Sequence, residues 1–210
     1  MKRLILSAVL AIAAAAPAFA DQKSAIFAGG CFWCVEKDFE SVPGVVEATS
    51  GYIGGSKETA TYKQVTRGGT GHYEAVRIVY DDSKISYGEL VNLFFRSVDP
   101  TDAGGQFCDR GDSYRTAIFA ATEAETATAK AEKQKAASDL GKKIVTPILP
   151  AQPFYVAEDY HQDYYKSSKK LLTRFGYISR KVAYKRYRQA CGRDKRVERL
   201  WGTTWTSAGS

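Results

Sequence analysis

The sequence is poor in methionine, and it has no internal repeats and no low-complexity linkers. A single methionine among 210 residues excludes a methionine-rich recognition surface. The hydrophobic fraction of 44% and the aromatic fraction of 12% exclude an intrinsically disordered chain. A chain of this length can bury a sizeable core, so one folded domain is the expected organisation.

Cysteine is also scarce, with four residues in the whole chain. Although four is an even number, a domain of this size does not need disulfide staples as a miniprotein does. Two of the cysteines form one C-x-x-C motif, which favours redox chemistry or metal binding. The non-enzymatic alternative is a zinc module with the ligands Cys31, Cys34, Cys108 and either His72 or His161. Structural zinc usually needs a second closely spaced ligand pair, and the sequence lacks one.

The first twenty residues differ from the rest of the chain. Lys2 and Arg3 precede an apolar run at residues 4–16, and residues 18–20 form a small-x-small ending. This pattern is typical of a secretory signal peptide that is cleaved after residue 20. The apolar run is shorter than the about 20 residues that a membrane-spanning helix needs. We therefore expect an exported, periplasmic protein, with an uncleaved membrane anchor as the alternative.

Acidic residues are rare near the C-terminus, although the net charge of the chain is only +7. Residues 166–199 contain 13 Lys and Arg but two acids, with tyrosines interleaved. Such a segment can bind nucleic acid, but an exported protein rarely meets nucleic acid. We interpret it as a basic C-terminal extension with a solvated face, followed by a loose tail at residues 201–210. Contact with an anionic membrane or an acidic partner is the less favoured alternative.

Apolar periodicity and turn residues predict alternating strands and helices in the remainder. The predicted strands are residues 23–28, 45–51, 72–80, 114–120 and 144–149, and the predicted helices are 31–42, 87–98 and 122–140. Residues 99–112 are predicted as a loop. The initial order β-α-β-β-α-β matches the split βαβ plait. We expect an α+β two-layer sandwich with a ferredoxin-like core and a mixed sheet.

Cys31 begins the first predicted helix, directly after Gly29 and Gly30. Free N–H groups and the dipole at a helix start favour a thiolate, so we expect a low pKa and a nucleophilic sulfur. The glycines allow a sharp turn and leave the sulfur accessible. Phe32 and Trp33 can wall a pocket for a methyl or thioether-like group. The alternatives are a small buried cysteine and a Phe32 that only packs in the core.

Glu74 is the candidate proton donor. It lies in a strand of period two, on the same face as Val76 and Ile78. Burial beside these residues would raise the pKa of the carboxyl and keep it protonated near neutrality, as a general acid requires. The alternative is a glutamate at the sheet edge that points to water.

Eight motifs occur in one order between residues 24 and 165. They are GCFW (30–33), PGV (43–45), GYIGG (51–55), TGHYEAVRIVYD (70–81), ISYGEL (85–90), VDPT (98–101), DRGDSYR (109–115) and PFYVAEDYHQDYY (153–165). In these motifs the chain resembles the methionine sulfoxide reductase A family. The resemblance implies reduction of the S epimer of methionine sulfoxide, free or in proteins, and hence repair of oxidised proteins.

The resemblance also implies a role for each site residue. Cys31 attacks the sulfoxide sulfur and becomes a sulfenic acid. Glu74 protonates the departing oxygen. The other implied contacts are Tyr62 and Tyr114 to the oxygen, Phe32 and Trp33 to the S-methyl group, and Asp109 to the substrate backbone. No metal and no organic cofactor are implied, and both histidines are expected to be structural.

Cys34 is where the chain departs from the commonest family pattern, which has glycine at this position and resolving cysteines near the C-terminus. Cysteines at i and i+3 across a helix start can reach disulfide distance, so we predict that Cys34 resolves the sulfenic acid. Cys191 is the second candidate, directly or as a relay, and Cys108 is the third. An external dithiol, such as a thioredoxin-fold protein, would then regenerate a monomeric enzyme. A general thiol–disulfide oxidoreductase is the alternative, but it would leave Glu74 without a function.

The predicted leader can be tested by intact-mass spectrometry of the protein recovered from the exported fraction. Cleavage after residue 20 predicts a mature chain that starts at Asp21. A mass that still includes residues 1–20 would contradict the prediction.

Overall fold

The structure, a computed structural model, describes residues 22–202. The predicted signal peptide and residues 203–210 of the predicted tail lie outside the described residues. The strands are β1 (Gln22–Gly29), β2 (Val45–Ile53), β3 (Tyr73–Asp81), β4 (Gly105–Gln106), β5 (Asp109–Arg110), β6 (Thr116–Ala120), β7 (Ile148–Pro150), β8 (Phe154–Val156), β9 (Lys170–Thr173) and β10 (Gly176–Ser179). The helices are α1 (Phe32–Glu40), α2 (Tyr62–Val65), α3 (Tyr87–Ser97), α4 (Glu123–Leu140), α5 (Arg180–Cys191) and α6 (Arg193–Trp201).

Six strands form the main sheet in the order β7-β6-β1-β3-β2-β8. The four inner strands, β6-β1-β3-β2, are antiparallel to their neighbours and have the order of the split βαβ plait. At the edges β7 pairs parallel with β6 and β8 pairs antiparallel with β2. The predicted α+β fold with a mixed sheet is therefore confirmed.

The main hydrophobic core lies between one face of this sheet and helices α1, α3 and α4. Strand residues alternate between faces, so Phe27 and Ile78 point to the helices while Ala28 and Ala75 point to a smaller cluster on the other face. Phe94 of α3 packs 5.0 Å from Phe27, measured between ring centroids. Burying one such large apolar side chain stabilises the fold by about 1.5–3 kcal/mol. This packing fixes α1 and β3, which carry the candidate nucleophile and acid.

The C-terminal extension contains a hairpin and two helices that its sequence pattern did not predict. The hairpin β9–β10 leads into α5 and α6, and α6 returns to the core, where the Trp201 indole donates to the Val98 carbonyl at 3.4 Å. Trp201, predicted to belong to the loose tail, is therefore the last residue of a packed helix. The guanidinium of Arg193 is buried and donates to the carbonyls of Gly29 and Ser97 at 3.1 and 2.9 Å. The interpretation of the basic segment as a solvated face is wrong for Arg193.

Other differences from the prediction are local. The predicted strand at 144–149 is reduced to β7, because Val145 leaves the sheet and donates its N–H to the Pro100 carbonyl at 2.8 Å. The short strands β4 and β5 lie inside the predicted loop at 99–112. Across residues 22–202, no helix has both the length and the apolar character that a membrane span requires.

Candidate active site

One cavity of about 540 Å³ opens at the N-terminal end of α1. This volume is within the usual range for small-molecule sites. The structure brings the nine predicted site residues to this cavity. They are Cys31, Phe32, Trp33, Cys34, Tyr62, Glu74, Asp109, Tyr114 and Cys191. Cys108, the third resolving candidate, lines the cavity as well.

The turn between β1 and α1 places Cys31 at the mouth of the cavity. Cys31 is the N-cap residue of α1, and Phe32 is the first helical residue. Gly30 has a φ of +82°, and a Cβ atom there would lie 2.6 Å from the Cβ of Gln106. A larger residue would therefore be strained and would clash. The predicted sharp Gly-Gly turn is thus required by both the backbone and the packing.

Glu74 lies directly beside this helix start. Its carboxylate accepts the backbone N–H of Phe32 at 3.1 Å, and the residue is only 2% exposed. Burial raises the pKa of Glu74 to about 8, with a further contribution from the negative charge of Asp109, against lowering hydrogen bonds from Phe32 and Tyr114. The predicted burial and raised pKa are confirmed, and the alternative of a water-exposed glutamate is excluded.

The pKa values of the two free thiols, Cys31 and Cys34, differ from the prediction. A hydrogen bond with Cys34, burial, and the negative charges of Cys34, Glu74 and Asp109 raise the pKa of Cys31 well above its ordinary value. The hydrogen bond from Cys31 and the nearby guanidinium groups of α5 and α6 lower the pKa of Cys34 to about 7. The predicted low pKa of Cys31 is therefore wrong for the resting enzyme, because the hydrogen bond with Cys34 and burial, with the surrounding charges added, outweigh the effect of the helix start.

Arginines of the C-terminal extension supply the positive charge near Cys34. Arg188 contacts the buried Asp38 carboxylate at 2.9 Å, pairs with Asp194 at 2.7 Å and donates to the Tyr184 hydroxyl at 3.0 Å. Tyr184 packs in one cluster with Cys34. Arg188 was not predicted from the sequence, because all 13 basic residues at 166–199 were interpreted as one solvated face. The available signal was the i, i+4 spacing of Tyr184 and Arg188 on one helix face.

The aromatic wall is held in place by His161. The Trp33 indole donates to Nδ1 of His161 at 3.1 Å and stacks on Tyr164 with a centroid distance of 3.8 Å. Burial lowers the pKa of His161 to about 4, so the ring is neutral and its Nδ1 can accept. Phe32 is buried, with its ring 4.9 Å from His161. His161 therefore orients the wall, as expected of a structural histidine.

Both tyrosine hydroxyls remain protonated in the cavity. Burial is the largest cause that raises the pKa of Tyr62 and of Tyr114, and the negative charge of Glu74 adds to it. Glu158 positions the first of them, because its carboxylate accepts the backbone N–H of Tyr62 at 2.9 Å and the Tyr52 hydroxyl at 2.8 Å. Glu158 was not predicted as a site residue, although it lies in the motif at residues 153–165.

Cys108 and Cys191 form a disulfide, whereas Cys31 and Cys34 are free. The disulfide adjoins Asp109, and burial raises the pKa of that carboxyl. Cys191, the second resolving candidate, is therefore not a free thiol in this state. The zinc alternative loses Cys108 as a thiolate ligand for the same reason.

Comparison with known proteins identifies the family. The family model described as peptide methionine sulfoxide reductase matches residues 23–201. A peptide methionine sulfoxide reductase of Rhizobium meliloti is 50% identical over 183 residues, which cover 87% of this chain and 85% of the relative. Reduced Mxr1 of Saccharomyces cerevisiae has a TM-score of 0.67 and 31% identity, covering 75% of this chain and 92% of its own. Mxr1 in complex with Trx2 has a TM-score of 0.50 and 25% identity, covering 67% and 84%.

The charge distribution at the thiol pair predicts the effect of Arg188→Gln. Removing this positive charge should raise the pKa of the first thiol ionisation of the Cys31/Cys34 pair, which is about 7 in the wild type, by about one unit. Thiolate absorbance against pH, with the Cys108–Cys191 disulfide intact, measures this ionisation. Lys185→Gln removes the same charge from an exposed position of α5 and should leave the titration unchanged. A wild-type titration in Arg188→Gln would contradict the assignment.

Proposed function

The chain belongs to the peptide methionine sulfoxide reductase family, and we propose that it reduces methionine sulfoxide, free or in proteins, to methionine at the expense of thiols. The observation that carries this proposal is the cavity that joins the free Cys31 thiol to a buried, protonated Glu74. A nucleophile and an acid on one small cavity suit transfer of an oxygen atom from sulfur to sulfur.

The first step transfers the sulfoxide oxygen to Cys31. The S-methyl group lies against Phe32 and Trp33, and the oxygen accepts hydrogen bonds from the tyrosine hydroxyls. Cys31 attacks the sulfoxide sulfur and passes its own proton to the Cys34 thiolate, while Glu74 donates its proton to the oxygen. The new bond between Cys31 and the methionine sulfur and the original S–O bond then break as the hydroxyl moves to the Cys31 sulfur, so methionine leaves and Cys31 carries the oxygen as a sulfenic acid. The negative charge moves from Cys34 to Glu74, so charge and atoms balance.

The shape of the cavity accounts for selection of one epimer. A sulfoxide sulfur is a stereocentre, so fixing the methyl group, the oxygen and the direction from which the thiol attacks leaves one position for the side chain. The aromatic wall, Glu74 and Cys31 provide these three fixed points. We propose that the S epimer is the one reduced, as the family resemblance implies.

Cys34 then resolves the sulfenic acid. Its sulfur attacks the sulfur of Cys31, and the hydroxyl leaves with the Cys34 proton as water, forming a Cys31–Cys34 disulfide. Three features support Cys34 over Cys191. Cys34 is a free thiol, it lies one helical turn from Cys31, and its pKa of about 7 permits attack near neutrality.

An external dithiol completes the cycle by reducing this disulfide and leaving as a disulfide itself. The complex of Mxr1 with Trx2 supports a thioredoxin-like protein as the donor.

The steps above use only side chains of this chain, so we propose neither a metal nor an organic cofactor. All nine site residues come from one chain, which supports action as a monomer. The leader and the Cys108–Cys191 disulfide support export to an oxidising periplasm.

The function predicts stereoselective turnover with a defined pH profile. With dithiothreitol, the purified protein should consume methionine-(S)-sulfoxide and spare the R epimer, and Cys31→Ser should abolish turnover. The single-turnover rate should rise through pH 7, as Cys34 ionises, and fall as the pH rises through about 8, where Glu74 loses its proton. Glu74→Gln should slow this step by about 10²–10⁴-fold and remove the falling limb.

Glu36→Gln is the matched control. Glu36 is a second buried carboxyl, and it lies on α1. Burial raises its pKa to about 7, but Glu36 does not line the cavity. This variant should keep the falling limb. An unchanged rate in Glu74→Gln would remove Glu74 from the acid role, and failure to consume either epimer would contradict the function itself.

A further inference from the structure

We propose that the hairpin β9–β10 is a docking surface for the polypeptide that carries the oxidised methionine, and that it favours acidic, extended segments. The inference rests on the proposed function, because it concerns how that substrate reaches the cavity. It assigns a role to the C-terminal extension beyond its contribution of arginine charge near Cys34.

The inner face of the hairpin is fixed beside the thiols. Leu171, Leu172 and Thr173 of β9 line the cavity, together with Arg174, which follows the strand. Ile178, the cross-strand partner of Leu171, packs against the cluster that contains Cys34 and Tyr164. The hairpin therefore forms part of the cavity rim.

The outer face presents an apolar pair to solvent. Leu172 and Tyr177 are cross-strand partners and are 81% and 68% exposed. Among residues 22–202, these are the two most exposed large hydrophobic side chains. Adjacent exposed apolar groups, with a tyrosine among them, are typical of protein interaction sites.

The position of the reacting atom dictates what this surface meets. A methionine side chain is short, so when its sulfur reaches Cys31 the backbone on either side must cross the rim of the cavity. Residues that flank the oxidised methionine then contact the hairpin. Free methionine sulfoxide has no flanking residues and makes no such contact. The hairpin can therefore discriminate between the two substrate forms.

The charge of the hairpin selects the kind of segment. Residues 166–193 contain no acidic residue, and Lys170 lies on the outer face with its ammonium 5.9 Å from the Tyr177 ring centroid. Lys169 directly precedes β9, and Arg174 directly follows it. A segment with acidic residues next to the methionine complements this surface electrostatically. An anionic membrane has complementary charge too, but it does not explain why the surface continues into the rim of the catalytic cavity.

The test compares free methionine-(S)-sulfoxide with two short peptides that carry the same residue at the centre, flanked by Glu or by Lys. Dithiothreitol serves as reductant, so no protein donor is present. The wild type should prefer the Glu-flanked peptide, and the preference should decline as salt rises. Tyr177→Ser should lower the ratio of kcat/KM for this peptide to that for free sulfoxide by about tenfold, through KM.

Two further variants sharpen the test. Lys170→Glu should reverse the preference toward the Lys-flanked peptide. Val46→Ser removes an apolar side chain that is 55% exposed on β2 and does not line the cavity, so its peptide-to-free ratio should equal that of the wild type.

The proposal is overturned if Tyr177→Ser keeps the wild-type ratio, or if its activity falls only when a thioredoxin-like protein replaces dithiothreitol. The latter result would assign the hairpin to the reductant, and vesicle binding that is lost in Tyr177→Ser with an unchanged ratio would assign it to a membrane. Each of these results leaves reduction of free sulfoxide in place. Failure of the proposed function would instead abolish that reaction in the wild type.

Discussion

The site depends on how one proton and one negative charge are divided between two adjacent sulfurs, of which Cys34 is buried and Cys31 is partly exposed. The hydrogen bond between the thiols, burial and the nearby carboxyl groups favour the neutral thiol on Cys31. The same hydrogen bond and the guanidinium groups of Arg193 and Arg188 favour the thiolate on Cys34. The resting pair is therefore polarised, with a neutral nucleophile hydrogen-bonded to an ionised partner. Cys34 can accept the proton of the nucleophile in the first step and serve as the resolving sulfur in the second.

The rest of the fold maintains this polarity. The antiparallel core places Glu74 of β3 under the start of α1, where the Phe32 N–H binds its carboxylate. The C-terminal extension covers the other side and brings Arg188 to Asp38 of the same helix. Burial makes both sets of contacts strong, because charges interact more strongly away from water. The extension is therefore part of the active site, and its hairpin continues that site onto the surface.

Local patterns in the sequence predicted the features that depend on neighbouring residues. The period-two strand placed Glu74 on the apolar face, and the Gly-Gly turn placed Cys31 at a helix start. The thiol pKa values could not be predicted in this way, because a helix start is a local feature, whereas burial depends on packing with distant segments and the charges of Arg193 and Arg188 lie more than 150 positions further along the chain. The hairpin was missed because β9 and β10 are short, and their placement depends on Ile178 packing against distant aromatic residues.

The most direct test of this account starts from enzyme in which Cys31 and Cys34 are both free thiols. This enzyme reacts with one equivalent of methionine-(S)-sulfoxide in the absence of external thiol, and its disulfides are then mapped. The account predicts a disulfide between Cys31 and Cys34, which lie in the same tryptic peptide, and an unchanged Cys108–Cys191 disulfide. A crosslink from Cys31 to Cys191 or Cys108, with Cys34 still a free thiol, would contradict it.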